Sequence, residues 1–522
     1  MRKVLDLTNE MCRTLIDVER AGIKIDVEAL DHLETAYRQE YAALERELNE
    51  LASKALGDTP FKLSSNDDLS MLIFSRKPKN KKKWASVFNL GTEVIRNQRK
   101  KKQPVRLTKK QLSDAICKHS YIVHKTQAKQ CETCKGKGKV ARYRRDGTLG
   151  NPRYNCNVCG GSGIDYRILN EVAGFKCAVN NVSDLAAHGY SCSKDQLEKI
   201  ARRSNGDAET FLTKMVRFNA IAHYLSNFVD GIRRTVGRDG ILHSQYMQCV
   251  TATGRLSSRN PNFQNMPRGL TFPLRKVCVS RWADRGGSLL DADYSQLEFR
   301  VAADLSRCPI ALRDILDGVD VHQRTANSMT EAGQETSRQD AKSHTFKPLY
   351  GGMQGSPAEQ TYYKGFLEHY KGIKKWHQRI VDIAASHKYI SLPTGRKYKF
   401  PWAKANVYGN VAGSTKIKNY PVQGFATADI VPLATVQLWR SMRNNNMKSL
   451  LINQVHDSLV VDCYPGEEKR MLTIMRDAML GVIPELSERF QYEFSVPLAI
   501  EIKQGPNWLN MNTVLVASHN ET

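Results

Sequence analysis

The sequence predicts an α+β chain of two to four domains, interrupted by a small basic insertion that carries paired cysteine knuckles. Three observations predict it. At 522 residues the chain can build more than one core. Helical periodicity, as in LDHLETAYRQEYAALERELNELA (30–52), is mixed with short β-rich runs such as LLINQV and SLVVDCY. Charge is also uneven: residues 76–176 hold 26 Lys and Arg against 6 Asp and Glu, and the rest of the chain holds 52 against 47.

A formal net charge of +25 attracts polyanions, so nucleic acid leads the partner classes and an acidic membrane surface follows. Every apolar run is too short to span a bilayer. MRKVLDLTNEMC, at the start, has no apolar stretch of the kind a secretory signal needs. A cytoplasmic location and reduced thiols are therefore expected, and clustered cysteines become metal candidates rather than a disulfide framework.

Along the chain, the N-terminal segment reads as helix. RKPKNKKKW and RNQRKKKQPVR, within residues 76–110, read as flexible and solvated. CETCKGKGK (131–139) and CNVCGGSG (156–163) then repeat one pattern, CxxCxGxG. Cys131 and Cys134 are separated from Cys156 and Cys159 by 21 residues, a spacing suited to one four-thiolate zinc site. The pattern resembles the zinc module of J-type cochaperones. A redox dithiol is the rival reading, although such pairs normally come singly, and chance pairing is disfavoured by the repeated glycine offsets.

GSLLDADYSQLEFRVAADLS (287–306) reads as a strand running into a helix, with Asp293 at the strand end. LLINQVHDSLVVDCYP (450–465) reads as a hairpin with Asp457 at its tip. Two carboxylates so placed can hold two divalent ions for in-line phosphoryl transfer. In SRQDAKSHTFKPLYGG, Arg338, Lys342, Phe346 and Tyr350 recur every four residues, along one helix face. Two cations followed by two aromatics suit a triphosphate and then a base and sugar. Each piece alone has a bland reading as a cap, a surface charge or core aromatics; the combination is what carries weight.

That combination resembles the A-family DNA polymerases, those like bacterial DNA polymerase I and related phage replicases. DYSQLE (293–298) and QVHDS (454–458) are similar to the family's two palm motifs, and RQDAKSHTFKPLYG (338–351) to its finger helix. TATGRLSSRNPNFQNMP (251–267) resembles its thumb-to-palm signature, and NYPVQGFATADI (419–430) the segment against the primer–template minor groove.

The resemblance implies a right-hand fold: a palm with an antiparallel sheet, helical fingers and thumb, and a small zinc-binding insertion. The implied domains are a palm/thumb base (1–75), the insertion (76–176), the rest of the thumb (177–250), palm (251–306), fingers (307–415) and palm again (416–522). The implied activity is template-directed addition of dNTPs to a primer. Asp293, Asp457 and the Tyr294 carbonyl would hold two Mg²⁺ ions, and Cys131, Cys134, Cys156 and Cys159 one structural Zn²⁺. Arg338, Lys342 and His322 would grip the triphosphate, with Lys342 as acid on the leaving pyrophosphate. Phe346 and Tyr350 would bracket the base and sugar. Gln296 would also contact the nucleotide, and Glu298 would exclude a 2′-hydroxyl. Arg255, Asn262, Gln264, Asn419, Gln423 and His456 would line the primer–template. The insertion would contact DNA or a processivity partner.

Departures from the family pattern are also visible. Ser458 stands where the family usually has Glu, which puts a third carboxylate in doubt. Pro348 lies in the finger helix, where it removes a hydrogen bond and unsettles the placement of Tyr350. ERAGIKIDVEAL (19–30) resembles the start of the polymerase region, so a chain without its own 3′–5′ exonuclease is expected, proofreading being left to a separate subunit. The expected origin is a phage or mobile element, with a helicase-primase among the conceivable partners. Two other classes compete: a catalytically dead zinc-containing nucleic-acid binder, and a single-subunit RNA polymerase or primase. Intact Asp293, Asp457, Arg338 and Lys342 disfavour the first, and Glu298 and Phe346 disfavour the second.

Overall fold

The structure, a computed structural model, describes residues 2–95, 98–143, 147–152 and 154–519. The chain divides into two compact units, Met1–Leu33 with Asn227–Thr522, and Glu34–Ser226. Each has its own hydrophobic core. Among the described residues no helix is long and apolar enough to cross a membrane.

The larger unit is built on a five-stranded antiparallel sheet. Its strands are β1 (Ser288–Tyr294), β2 (Leu450–Val455), β3 (Ser458–Cys463), β4 (Ala499–Gly505) and β5 (Asn512–Ser518), in the order β2-β3-β1-β4-β5. β1 is central and pairs Asp293 with Ser458 on one side and with Glu501 on the other. Its apolar residues Leu289, Leu290 and Ala292 are fully buried, whereas Asp291 and Asp293 alternate onto a half-buried face. Helices then follow: α1 (Leu297–Ser306), α2 (Val321–Glu331), α3 (Arg338–Leu349) and α4 (Ser414–Gly424). Their apolar residues Val301, Val321, Leu349 and Ile417 join the sheet residues Leu290, Leu459 and Val461 in a single core.

The smaller unit corrects one expectation. The first of the two runs read as flexible, RKPKNKKKW, is folded, whereas Arg96 and Asn97 of the second lie outside the described residues. Arg76–Pro78 is a strand paired with Ser120–Ile122, Lys81–Val87 and Lys109–His119 are helices, and Asn80 and Thr108 cap those helices. The cause is the sparse set of apolar residues between the lysines. Trp84, Phe88, Leu112 and Ile116 enter the same core as Leu48, Leu72, Tyr190 and Phe211. Trp84 is 0 % exposed, and its indole N–H is shared between the carbonyls of Ala186 (3.0 Å) and Gly189 (2.9 Å). The cysteines instead belong to a separate small cluster, at the end of a hairpin formed by His124–Gln130 and Ile164–Val172.

Candidate active site and cysteine cluster

Val455 pairs with Ser458, so β2 and β3 are joined by a two-residue turn, His456–Asp457. His456 adopts a left-handed φ of 57°, which costs a non-glycine residue energy and must be held by its surroundings. Gln454 Nε2 donates to the His456 carbonyl (3.2 Å), and Gln264 Nε2 donates to the Gln454 carbonyl (2.6 Å). The turn brings Asp457 beside the end of β1, where the Tyr294 N–H reaches the Asp457 carbonyl at 3.4 Å.

Asp293 and Asp457 thus share one site. Burial raises the Asp293 carboxyl well above its ordinary value, and the charges of Asp457 and Asp291 raise it further. Burial also raises Asp457, against the opposing pull of Arg268 and Arg255. The Asp293 Oδ1 is enclosed and has no hydrogen-bond partner among the described residues. Two crowded carboxylates with an unmet oxygen are a hard-donor set suited to divalent cations.

Beside them, Arg255 Nη2 pairs with Glu298 Oε1 at 2.8 Å. Burial raises the Glu298 carboxyl; Arg255 and a hydrogen bond from Gln423 oppose that rise. His456 is pushed down to about 4 by burial and by Arg255, Arg268 and Arg275, so it is neutral at pH 7. Asn262 Oδ1 accepts from the Ser258 hydroxyl (3.2 Å), which in turn accepts from the Gln264 N–H (3.2 Å). Asn419 and Gln423 lie one turn apart on α4, both half-buried. Gln296 precedes α1 with a left-handed φ of 53°.

α3 carries the expected four-residue repeat. Ser337 caps it by accepting from the Asp340 N–H. The Lys342 side chain lies outside the described residues. Arg338 Nε donates to Asp320 Oδ2 at 2.6 Å. Burial would raise Asp320, but Arg338 and the N–H groups of Gln323 and His322 hold it below its ordinary value. Phe346 and Tyr350 are near-parallel, 12° between planes and 6.1 Å between ring centres. The helix runs through Pro348 to Leu349, and the Tyr350 N–H still reaches the Phe346 carbonyl at 3.1 Å. His322 is buried between α2 and α3, with Nδ1 3.1 Å from the Thr345 hydroxyl and its ring edge-on to Phe346.

Sequence reasoning missed three residues. Arg268 and Arg275 act electrostatically on the site, and no local pattern marks them. Arg275 sits 3.9 Å over the Trp508 ring, whose N–H donates to Asp291 Oδ2 (2.9 Å). Asp291 lies two residues before Asp293 on the same strand face, and its Oδ1 is likewise enclosed without a partner among the described residues. The alternation in LLDADY was the signal that could have found it.

In the smaller unit, the Sγ atoms of Cys131, Cys134, Cys156 and Cys159 all lie within 4.8 Å of one another. The N–H groups of Gly138 and Gly163 donate to Cys134 and Cys159 Sγ, each at 3.2 Å. Both glycines have positive φ, 70° and 80°. A Cβ on Gly138 would lie 2.2 Å from the Gly161 carbonyl oxygen, and one on Gly163 would lie 2.3 Å from that of Gly136. Only glycine fits either position.

The sequence and the fold have counterparts among known proteins. The family model for DNA polymerase family A matches residues 168–510, and the chain belongs to that family. It is 28 % identical over 363 residues to DNA polymerase I of Chloroflexus aurantiacus, covering 66 % of this chain and 37 % of that protein. It is 30 % identical over 341 residues to DNA polymerase I of Streptococcus pneumoniae, covering 61 % and 36 %. With the thermostable DNA polymerase I of Thermus aquaticus the identity is 29 % over 388 residues, covering 66 % and 45 %. The matches thus span less than half the length of each of these relatives. The fold is similar to the POL domain of Pol1 from M. smegmatis, solved in complex with DNA primer-template and dNTP. There the TM-score is 0.64 at 20 % identity, covering 96 % of this chain and 70 % of that one.

Proposed function

We propose that the chain is a template-directed DNA polymerase that adds dNTPs to a primer 3′-OH. The observation that carries this reading is the approach of two half-buried carboxylates, Asp293 on the central strand and Asp457 at the hairpin tip, on a family A scaffold. Asp293 and Asp457, with the Tyr294 carbonyl, would hold two Mg²⁺ ions; the enclosed Asp293 Oδ1, without a partner among the described residues, fits that role. When bound, the ions supply activation of the attacking hydroxyl and neutralisation of the leaving pyrophosphate.

The remaining work is positioning. Arg338 and Lys342, one turn apart on α3, grip the triphosphate, and Lys342 gives its proton to the pyrophosphate. His322 joins them at the triphosphate, its ring lying edge-on to Phe346, against which base and sugar pack together with Tyr350. Gln296 contacts the nucleotide. Glu298, fixed by Arg255, closes the space at the sugar C2′. Arg255, Asn262, Gln264, Asn419, Gln423 and neutral His456 line the primer–template. The four cysteines would hold one structural Zn²⁺, a reading supported by their mutual approach and by the two N–H···S bonds. The basic part of the smaller unit holds DNA through its phosphates; recruitment of a processivity protein is the rival reading.

Primer extension with purified protein tests the central claim. Extension requiring Mg²⁺ and template, abolished by Asp457→Ala while DNA binding persists, is the expected result. Efficient use of rNTPs would instead identify an RNA-synthesising enzyme.

A further inference from the structure

Several lysines of the smaller unit stand close together, and most of them form no ion pair among the described residues. The strand Arg76–Pro78 pairs Lys77 with Tyr121. The Lys79 N–H continues the pairing to the His119 carbonyl (2.9 Å), and Lys79 Nζ donates to the Lys118 carbonyl (3.0 Å). Two cationic residues are thereby tied together. The helix Lys81–Val87 adds Lys82 and Lys83, both exposed. Lys83, Lys118 and Lys79 stand close enough to His119 to hold its imidazole below the ordinary value, in addition to the effect of burial. Asp67 pairs with Lys81, and Asp114 lies one helical turn before Lys118 without an ion pair among the described residues. Among the described residues Lys77, Lys79, Lys82, Lys83 and Lys118 have no ion pair.

Like charges so gathered repel, and a flexible tail could relieve the repulsion by spreading. This face cannot spread. Pro78 and Ser120 are buried, and Trp84 is fixed in the core by its two carbonyl acceptors. The backbone that carries the cations is therefore fixed before any ligand arrives, which lowers the ordering cost of binding an extended polyanion. Tyr121, 46 % exposed beside Lys77, offers an apolar surface within the charge. Cations near the cysteine hairpin are arranged differently: Lys125 pairs with Glu171, and Arg167 with Glu132 and Asp165.

We propose that Lys77, Lys79, Lys82, Lys83, Lys118 and His119 form the surface on which this unit holds the phosphodiester backbone of duplex DNA. The choice of DNA as occupant rests on the polymerase reading above. The site itself is distinct from the cysteine hairpin.

The test is binding of a labelled primer–template duplex by the full chain, without nucleotides, across a salt series. Each phosphate contact contributes about 0.9 to the slope of log affinity against log salt. Replacing Lys77, Lys79, Lys83 and Lys118 with Ala should reduce that slope by about 3 to 4. The matching Lys→Arg variant should keep it, and an unchanged melting temperature shows that the fold survives. Ala at Lys135, Lys137 and Lys139, exposed beside the knuckles, should leave the slope within about one unit of the parent. An unchanged slope in the four-lysine variant, or a loss confined to the knuckle variant, overturns the proposal. Extension by the parent protein is measured in parallel. If it fails while the slope still falls, the polymerase reading is lost and the surface stands.

Discussion

Arg338 and Asp320 form an ion pair, Nε to Oδ2 at 2.6 Å, across the N-termini of two helices of the larger unit. Arg338 is also the residue assigned to the triphosphate. Asp320 thus competes with the nucleotide for the guanidinium, but both side chains are partly exposed and such pairs contribute only about 0–1 kcal/mol. Asp320→Asn keeps the helix cap and removes the competitor. The expected result is a KM for dNTP lowered by up to about fivefold with kcat unchanged. Arg338→Ala should raise the same KM.

Asp293 and Asp457 both have raised carboxyls in the folded protein. A carboxyl raised by folding contributes stability below its unfolded value and loses it as pH rises through its folded value. Metal-free protein should therefore lose melting temperature from about pH 4 upward. Mg²⁺ should restore it more at pH 8 than at pH 5. Asp293→Asn, which removes one like charge, should raise the metal-free melting temperature at pH 8 and abolish the Mg²⁺ response. Thermal melts at the two pH values, with and without Mg²⁺, check this.

Glu298 is half-buried with Arg255 as its partner. Glu298→Ala opens the space at C2′, so the preference for dNTP over rNTP should fall by at least about tenfold. Glu298→Gln retains the bulk and should keep most of the preference. Competition assays on one primer measure both. A selectivity unaffected by Glu298→Ala would remove this residue from sugar discrimination.

The four cysteines form a cluster separate from the core that holds Trp84. Zinc content should be one per chain, falling to near zero in Cys131→Ser, as read by atomic absorption. Extension of a short primer should persist in that variant. Trp84→Ala, by contrast, removes a fully buried ring from the main core and should destabilise the unit by about 3–5 kcal/mol in denaturant melts.

Much of the site was legible because its motifs are local. DYSQLE, QVHDS and the four-residue repeat from Arg338 each occupy one strand end, one turn or one helix face, so spacing alone reveals their geometry. Arg268 and Arg275 were not legible, because they act on the carboxylates through space from a segment without regular pattern. Asp291 was hidden by its neighbour: the run LLDADY drew attention to the strand end, and the preceding aspartate reads as an ordinary alternation. The stretch 76–90 folds although lysines dominate its composition, because the few apolar side chains between them, Trp84 and Phe88 above all, enter the core.

The glycine geometry of the knuckles bears on how this module can change over time. The space that Gly138 must leave free belongs to the Gly161 carbonyl of the second repeat, and the space at Gly163 belongs to the Gly136 carbonyl of the first. Each copy is therefore the mould of the other. A duplicated segment normally frees one copy to diverge; here, a side chain gained in either half collides with the backbone of its twin. The two halves are bound to be inherited, and lost, together.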